Sequence, residues 1–124
     1  MTLVLDAGAL IAVERADRAT LTLMEAARRQ GRNFLVPAGV LAQVWRDGSR
    51  QARLARFLAA RGVQVEALTE VGAKAAGVVC RQARTSDVVD ASVVVTARRH
   101  RAIVVSSDRP DLEVLDPGIT VLDC

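Results

Sequence analysis

Short apolar runs of β type alternate with longer segments of helical period along this 124-residue chain. Thr2 to Leu5, Phe34 to Val36, Val63 to Ala67, Ile103 to Val105 and Thr120 to Leu122 read as strands. Val63 to Ala67 alternates apolar with polar, and the others are short and rich in aliphatic or β-branched residues, as buried strands are. Between them, Ala7 to Arg15 and Arg18 to Gln30 carry helical spacing, the second stopped by Gly31. Pro37 closes the second strand, and helices follow over Gly39 to Arg46 and Ser49 to Ala60, split at Asp47-Gly48. Thr69 to Arg84 and Val88 to Arg99 are the longer helices, joined through Thr85-Ser86-Asp87, which supplies N-cap chemistry. A short helix over about Pro110 to Leu115 precedes the last strand. Strands that are apolar throughout and separated by helices indicate a parallel sheet covered on both faces. The chain therefore predicts an α/β, three-layer α/β/α architecture with a mainly parallel central sheet, as one domain over residues 1–124. Right-handed crossovers place all strand C-termini along one edge, where such folds hold their sites.

Acids fall on that edge. Asp6 follows the first strand directly and Asp108 follows Ile103 to Val105 by way of Ser106-Ser107. Asp87 and Asp90 lie three apart at a helix start and so share a face. Asp90 interrupts the apolar stretch Val88-Val89-Asp90-Ala91-Ser92-Val93, where an unpaired carboxylate costs roughly several kcal/mol of desolvation. Each acid also has a plainer reading: Asp6, Asp87 and Asp108 as helix caps, Asp90 as the partner of a neighbouring arginine. Taken together, two strand-end acids and one intrahelical acid point to converging carboxylates. Such groups raise one another's pKa and suit a hard divalent cation, Mg²⁺ or Mn²⁺, which supports phosphodiester hydrolysis without His or Cys.

Composition narrows the choices. The formal charge is +3, and sixteen of the seventeen cations are Arg, whose planar fork suits phosphate. Arg46, Arg50, Arg53 and Arg56 recur every three to four positions, which predicts a helical basic stripe, either a phosphate-tracking rim or a solvated face. His100 is the sole histidine and sits among helix-terminal cations, so paired-His acid–base chemistry is excluded. Cys80 and Cys124 make neither a disulfide framework nor a Cys-rich zinc site, and Cys80 reads as core in a reducing compartment. Phe34, Phe57 and Trp45 are too few for base-stacking platforms. No apolar run approaches a membrane span, and the start lacks signal-peptide features, so a cytoplasmic protein is expected.

Four segments in this order resemble the PIN-domain nucleases, in particular the small VapC-type toxins. They are Val4-Leu5-Asp6-Ala7-Gly8-Ala9-Leu10-Ile11-Ala12, Val36-Pro37-Ala38, Asp87-Val88-Val89-Asp90-Ala91-Ser92 and Val104-Val105-Ser106-Ser107-Asp108-Arg109-Pro110-Asp111-Leu112. The resemblance spans essentially the whole chain. It implies a PIN-like, Rossmann-like fold and a Mg²⁺- or Mn²⁺-dependent endoribonuclease, usually dimeric and held inactive by a cognate antitoxin. It also implies that Asp6, Asp90 and Asp108 are catalytic metal ligands, with Ser106 and Asp87 in support. The second family acid, usually Glu, falls on Gln43, which keeps a carbonyl oxygen but removes a charge. Glu14 and Asp47 are the nearby acids, one too far along its helix and the other at a turn. Weaker metal binding and slower hydrolysis are expected. The competing reading is an attenuated PIN fold that binds RNA or a protein. A dinucleotide enzyme is disfavoured, because Asp6-Ala7-Gly8-Ala9 lacks the Gly-rich loop.

Overall fold

The computed structural model describes residues 1–124. Five strands, β1 (Thr2–Leu5), β2 (Asn33–Pro37), β3 (Val63–Glu66), β4 (Ile103–Ser106) and β5 (Val121–Asp123), form one sheet in the order β3-β2-β1-β4-β5. Every pairing is parallel, with Val4 opposite Leu35 on one side and Val104 on the other. The central strands β1, β2 and β4 are the most continuously apolar and the most buried. Edge strand β3 carries exposed Gln64 and Val65, because it is covered on fewer sides.

Seven helices complete the fold: α1 (Ala7–Glu14), α2 (Arg18–Arg29), α3 (Ala38–Val44), α4 (Ala52–Ala59), α5 (Glu70–Ala83), α6 (Val88–His100) and α7 (Arg109–Leu115). Helices α1 to α4 pack among themselves, as do α5 to α7, giving the two outer layers. One core joins Leu3, Leu5, Leu10, Val36, Val94 and Val104 through the sheet. No helix is long and apolar enough to cross a membrane.

The chain leaves β1 toward β2 and β3, then crosses back past β1 to β4. The reversal opens between β1 and β4, and crevices at such switch points lie outside the strand C-termini. Asp6 and the Ser106–Asp108 segment therefore arrive side by side, as their positions after β1 and β4 predict. The backbone N–H of Asp6 donates to the Val105 carbonyl at 3.3 Å and extends the ladder to that point.

One sequence expectation needs correction. Arg46, Arg50, Arg53 and Arg56 do not form a helical stripe, because residues 45–51 are a loop and α4 begins only at Ala52. Arg46 donates to the carbonyls of Ala42 and Trp45, Arg50 pairs loosely with Asp47, and Arg53 donates to the Glu14 carbonyl. The 3.6-residue period was present in the sequence, but the Asp47-Gly48 turn breaks its phase.

Buried Gln51 holds that loop. Its Oε1 accepts from the backbone N–H groups of Arg46 (2.8 Å) and Asp47 (3.0 Å), and its Nε2 donates to the Val44 carbonyl (3.0 Å). Gln51→Ala strands three backbone groups, so a loss of about 2–3 kcal/mol is expected. The urea midpoint, with m unchanged, measures it.

Candidate active site

Asp6 is the centre of the site. It is 3% exposed, and its Oδ1 accepts from the Ala9 N–H at 3.0 Å, which caps α1. The fully buried Ser106 hydroxyl donates to Asp6 Oδ2 and accepts from the Asp108 N–H at 2.8 Å. One hydroxyl thus ties the acid after β1 to the turn after β4. Burial raises the Asp6 pKa, opposed by the Ser106 and Ala9 hydrogen bonds and reinforced by the Asp108 charge. Capping and site geometry coincide at Asp6, so the two readings of this residue are not exclusive.

Asp108 is exposed and, although it stands at the start of α7, its side chain makes no capping bond. Its carboxylate is left free at the crevice. Asp87 does cap α6, accepting from the Asp90 N–H at 3.0 Å. Asp90 is half-buried one turn along and makes no ion pair, so the arginine partner is absent. Burial pushes its pKa up to about 7, helped by the charge of Asp87, a hydrogen bond with it, and the charges of Asp6 and Asp108. The last two place Asp6, Asp90 and Asp108 within electrostatic reach of one another.

Two separate depressions adjoin these acids. A groove of about 510 Å³ is lined by Gly8, Ile11, Arg15, Gln43, Asp108 and Cys124, among others. A smaller hollow of about 240 Å³ takes Asp87, Asp90 and Asp111. Gln43 is exposed and lines the same groove as Asp108. Glu14 and Asp47 are not among the groove's lining residues, and Asp47 is engaged by the Ser49 N–H and hydroxyl. His100 bonds Glu66 at 2.6 Å, well away from these acids.

Gly8, Arg15, Ser107 and Cys124 belong to the groove but carried no clear signal in the sequence. Gly8 allows the first turn of α1 to lie against the β4–α7 turn. A Cβ there would collide with the Ser107 hydroxyl and sit 3.2 Å from Ser107 Cβ and 3.4 Å from Asp6 Oδ1. Cys124 arrives through the register of β5, its N–H donating to the Ser106 carbonyl. Burial and the charges of Asp6, Asp17, Asp123 and Asp108 push its thiol up to about 11, so it is not a thiolate ligand at neutral pH.

The donors fit a hard divalent cation in kind. They are oxygens, no cationic side chain neutralises them, and burial together with their repulsion already favours a proton on Asp90. They do not converge on a shared point as they stand: no three acidic, His or Cys side chains are close enough to hold one ion. Asp6 is turned to Ser106 and Ala9, and Asp90 to Asp87. Side-chain rotation would be needed to bring them onto one cation.

A parallel α/β/α sandwich with carboxylates and a buried hydroxyl at its topological switch point is the class that fold and site define. Within that class the chain belongs to the PIN domain family, whose model matches residues 3–114. No curated protein sequence matches it. Among solved structures, VapBC2 from Rickettsia felis bound to a promoter DNA fragment is similar at TM-score 0.78 and 12% identity, covering 99% of this chain and 98% of that one. A toxin–antitoxin complex from Klebsiella pneumoniae is similar at TM-score 0.72 and 16% identity, covering 97% and 95%. FitAB bound to the IR36 DNA fragment follows at TM-score 0.69 and 13% identity, covering 98% and 94%. At these identities the likeness is one of fold.

Proposed function

We propose that this PIN domain, over residues 1–124, is a Mg²⁺- or Mn²⁺-dependent endoribonuclease acting as the toxin of a toxin–antitoxin pair. The observation that carries the reading is the set of acids without ion-pair partners near the β1/β4 switch point, where Ser106 joins the Asp6 carboxylate to the backbone of Asp108. Asp6, Asp90 and Asp108 would hold the ion, with the Gln43 carbonyl oxygen as an additional donor. A divalent cation there supplies Lewis acidity and a hydroxide at neutral pH. Ser106 fixes the Asp6 carboxylate, and Asp87 anchors the start of α6 and sets the charge around Asp90. The acids leave the groove entrance negative, so phosphate must be drawn in by cations elsewhere on its wall. An antitoxin partner, a homodimer and a cytoplasmic location go with this reading. Support for the antitoxin comes from the toxin–antitoxin complexes that share the fold.

A purified sample should cut structured RNA in Mn²⁺ or Mg²⁺, stop in EDTA and recover when metal is restored. RNA that is bound tightly but never cut would favour the competing reading, an attenuated RNA- or protein-binding module. That alternative rests on one observation: neutral Gln43 beside acids that do not close on a common point.

A further inference from the structure

The groove of about 510 Å³ runs the length of α1. Gly8, Ile11, Ala12 and Arg15 recur at helical spacing and form its floor. Asp108 stands at the α1 N-terminus, tied through Ser106 to the N-cap Asp6, and Arg15 stands at the C-terminal end. Arg15 lies nine positions beyond Asp6, about 13 Å along the axis. Side chains at a helix end lean toward the N-terminus, so a residue as long as Arg has the reach to serve a strand lying along α1.

Arg15 is exposed and is the one cationic residue lining this groove. It makes no ion pair, whereas other cations nearby are already engaged. Arg109 holds Asp123 through two hydrogen bonds and also donates to the Val121 carbonyl. Arg46 caps α3, and Arg53 is fixed on the Glu14 carbonyl at the end of α1, adding positive charge beside Arg15. Asp17, the acid on that side, is occupied: its Oδ2 accepts both the N–H and the hydroxyl of Thr20. A free planar fork with five donors, set one helix length from a row of carboxylates, has the chemistry of a phosphate clamp.

We infer that Arg15 grips an RNA phosphate beside the cleaved linkage, so that the substrate strand lies along α1 between Arg15 and the acids. This rests on the ribonuclease reading above. The clamp offsets the repulsion between the acids and the RNA backbone and sets which linkage is presented to Asp108 and Gln43.

The test is anisotropy of a labelled single-stranded oligoribonucleotide of mixed sequence, titrated in EDTA at several salt concentrations. Arg15→Gln should bind about tenfold more weakly at low salt and flatten the log–log salt slope by about 0.7, the loss of one phosphate contact. Arg15→Lys should restore the slope but not the full affinity, and Arg18→Gln, an exposed cation outside the groove, should match the parent. In Mn²⁺, Arg15→Gln should raise KM and leave kcat within about twofold. Parental affinity and slope in Arg15→Gln would overturn the clamp alone and leave the groove to a protein segment. A parent that neither binds nor cuts RNA would overturn the ribonuclease reading as well.

Discussion

Asp90→Asn is expected to abolish RNA cleavage and, at pH 8 in EDTA, to raise the melting temperature. An Asp carboxyl ordinarily titrates at 3.8, and Asp90 in the folded protein titrates at about 7. Between those values the folded state holds a proton that the unfolded state has lost. Stability therefore falls as pH rises from about 4 to about 7, and stays reduced above that. Burial is the main cause, followed by Asp87 and then by Asp6 and Asp108. Asn carries no charge, so the variant escapes the penalty. The gain should be full at pH 8, shrink through pH 6 and vanish near pH 4. For a domain of this size each kcal/mol corresponds to about 4 °C.

Divalent metal should reverse the order. A cation bound only by the folded parent stabilises it as RT ln(1 + [L]/Kd), and the Asn variant has lost the ligand. Thermal melts of both proteins over pH 4 to 8, with and without Mn²⁺, check both halves. A variant less stable than the parent at pH 8 in EDTA would show that Asp90 is a stabilising structural group.

Gln43→Glu is the opposite experiment. Gln43 is exposed in the groove that Asp108 also lines, so a carboxylate there costs little desolvation. It restores the charge that the PIN-family resemblance places at this position. Mn²⁺ affinity and the cleavage rate should each rise about tenfold, equivalent to about 1.4 kcal/mol. The metal-free variant should lose a little stability through repulsion from Asp108. Calorimetric titration of Mn²⁺ and single-turnover cleavage measure the two effects. Unchanged Mn²⁺ affinity would remove Gln43 from the site.

Much of this arrangement is legible in the residues. Thr2–Leu5 and Ile103–Ser106 are continuous apolar runs ended by polar groups, and parallel topology alone brings such ends together. Asp90 announces itself as a single charge in an apolar stretch, and the missing ion partner agrees with its being out of place in an ordinary core. The helix between Pro37 and the Asp47-Gly48 turn is also apparent, but its end at Val44 is not. That end depends on the Gln51 amide, which reaches seven residues back to the Val44 carbonyl. Local propensity contains no information about that contact. The arginine period misleads for the same reason, since it continues through a segment that tertiary hydrogen bonds hold out of the helix.

The groove itself was least visible. Gly8 looks like an indifferent helix residue until the β4–α7 turn is seen against it, and Cys124 reaches the wall only through the pairing of β5 with β4. Arg15 looks like any helix-terminal cation. Its freedom becomes apparent only when Arg46, Arg53 and Arg109 are found bonded elsewhere.

The most direct measurement is RNA cleavage in Mn²⁺ by the parent and by Asp6→Asn, side by side at pH 8. The substitution is nearly isosteric and can keep the Oδ1 acceptor for the Ala9 N–H, so α1 should remain capped. If the sheet-edge acids are the ribonuclease site, the parent cuts and Asp6→Asn falls by at least about a hundredfold. Equal cutting by the two proteins would contradict it.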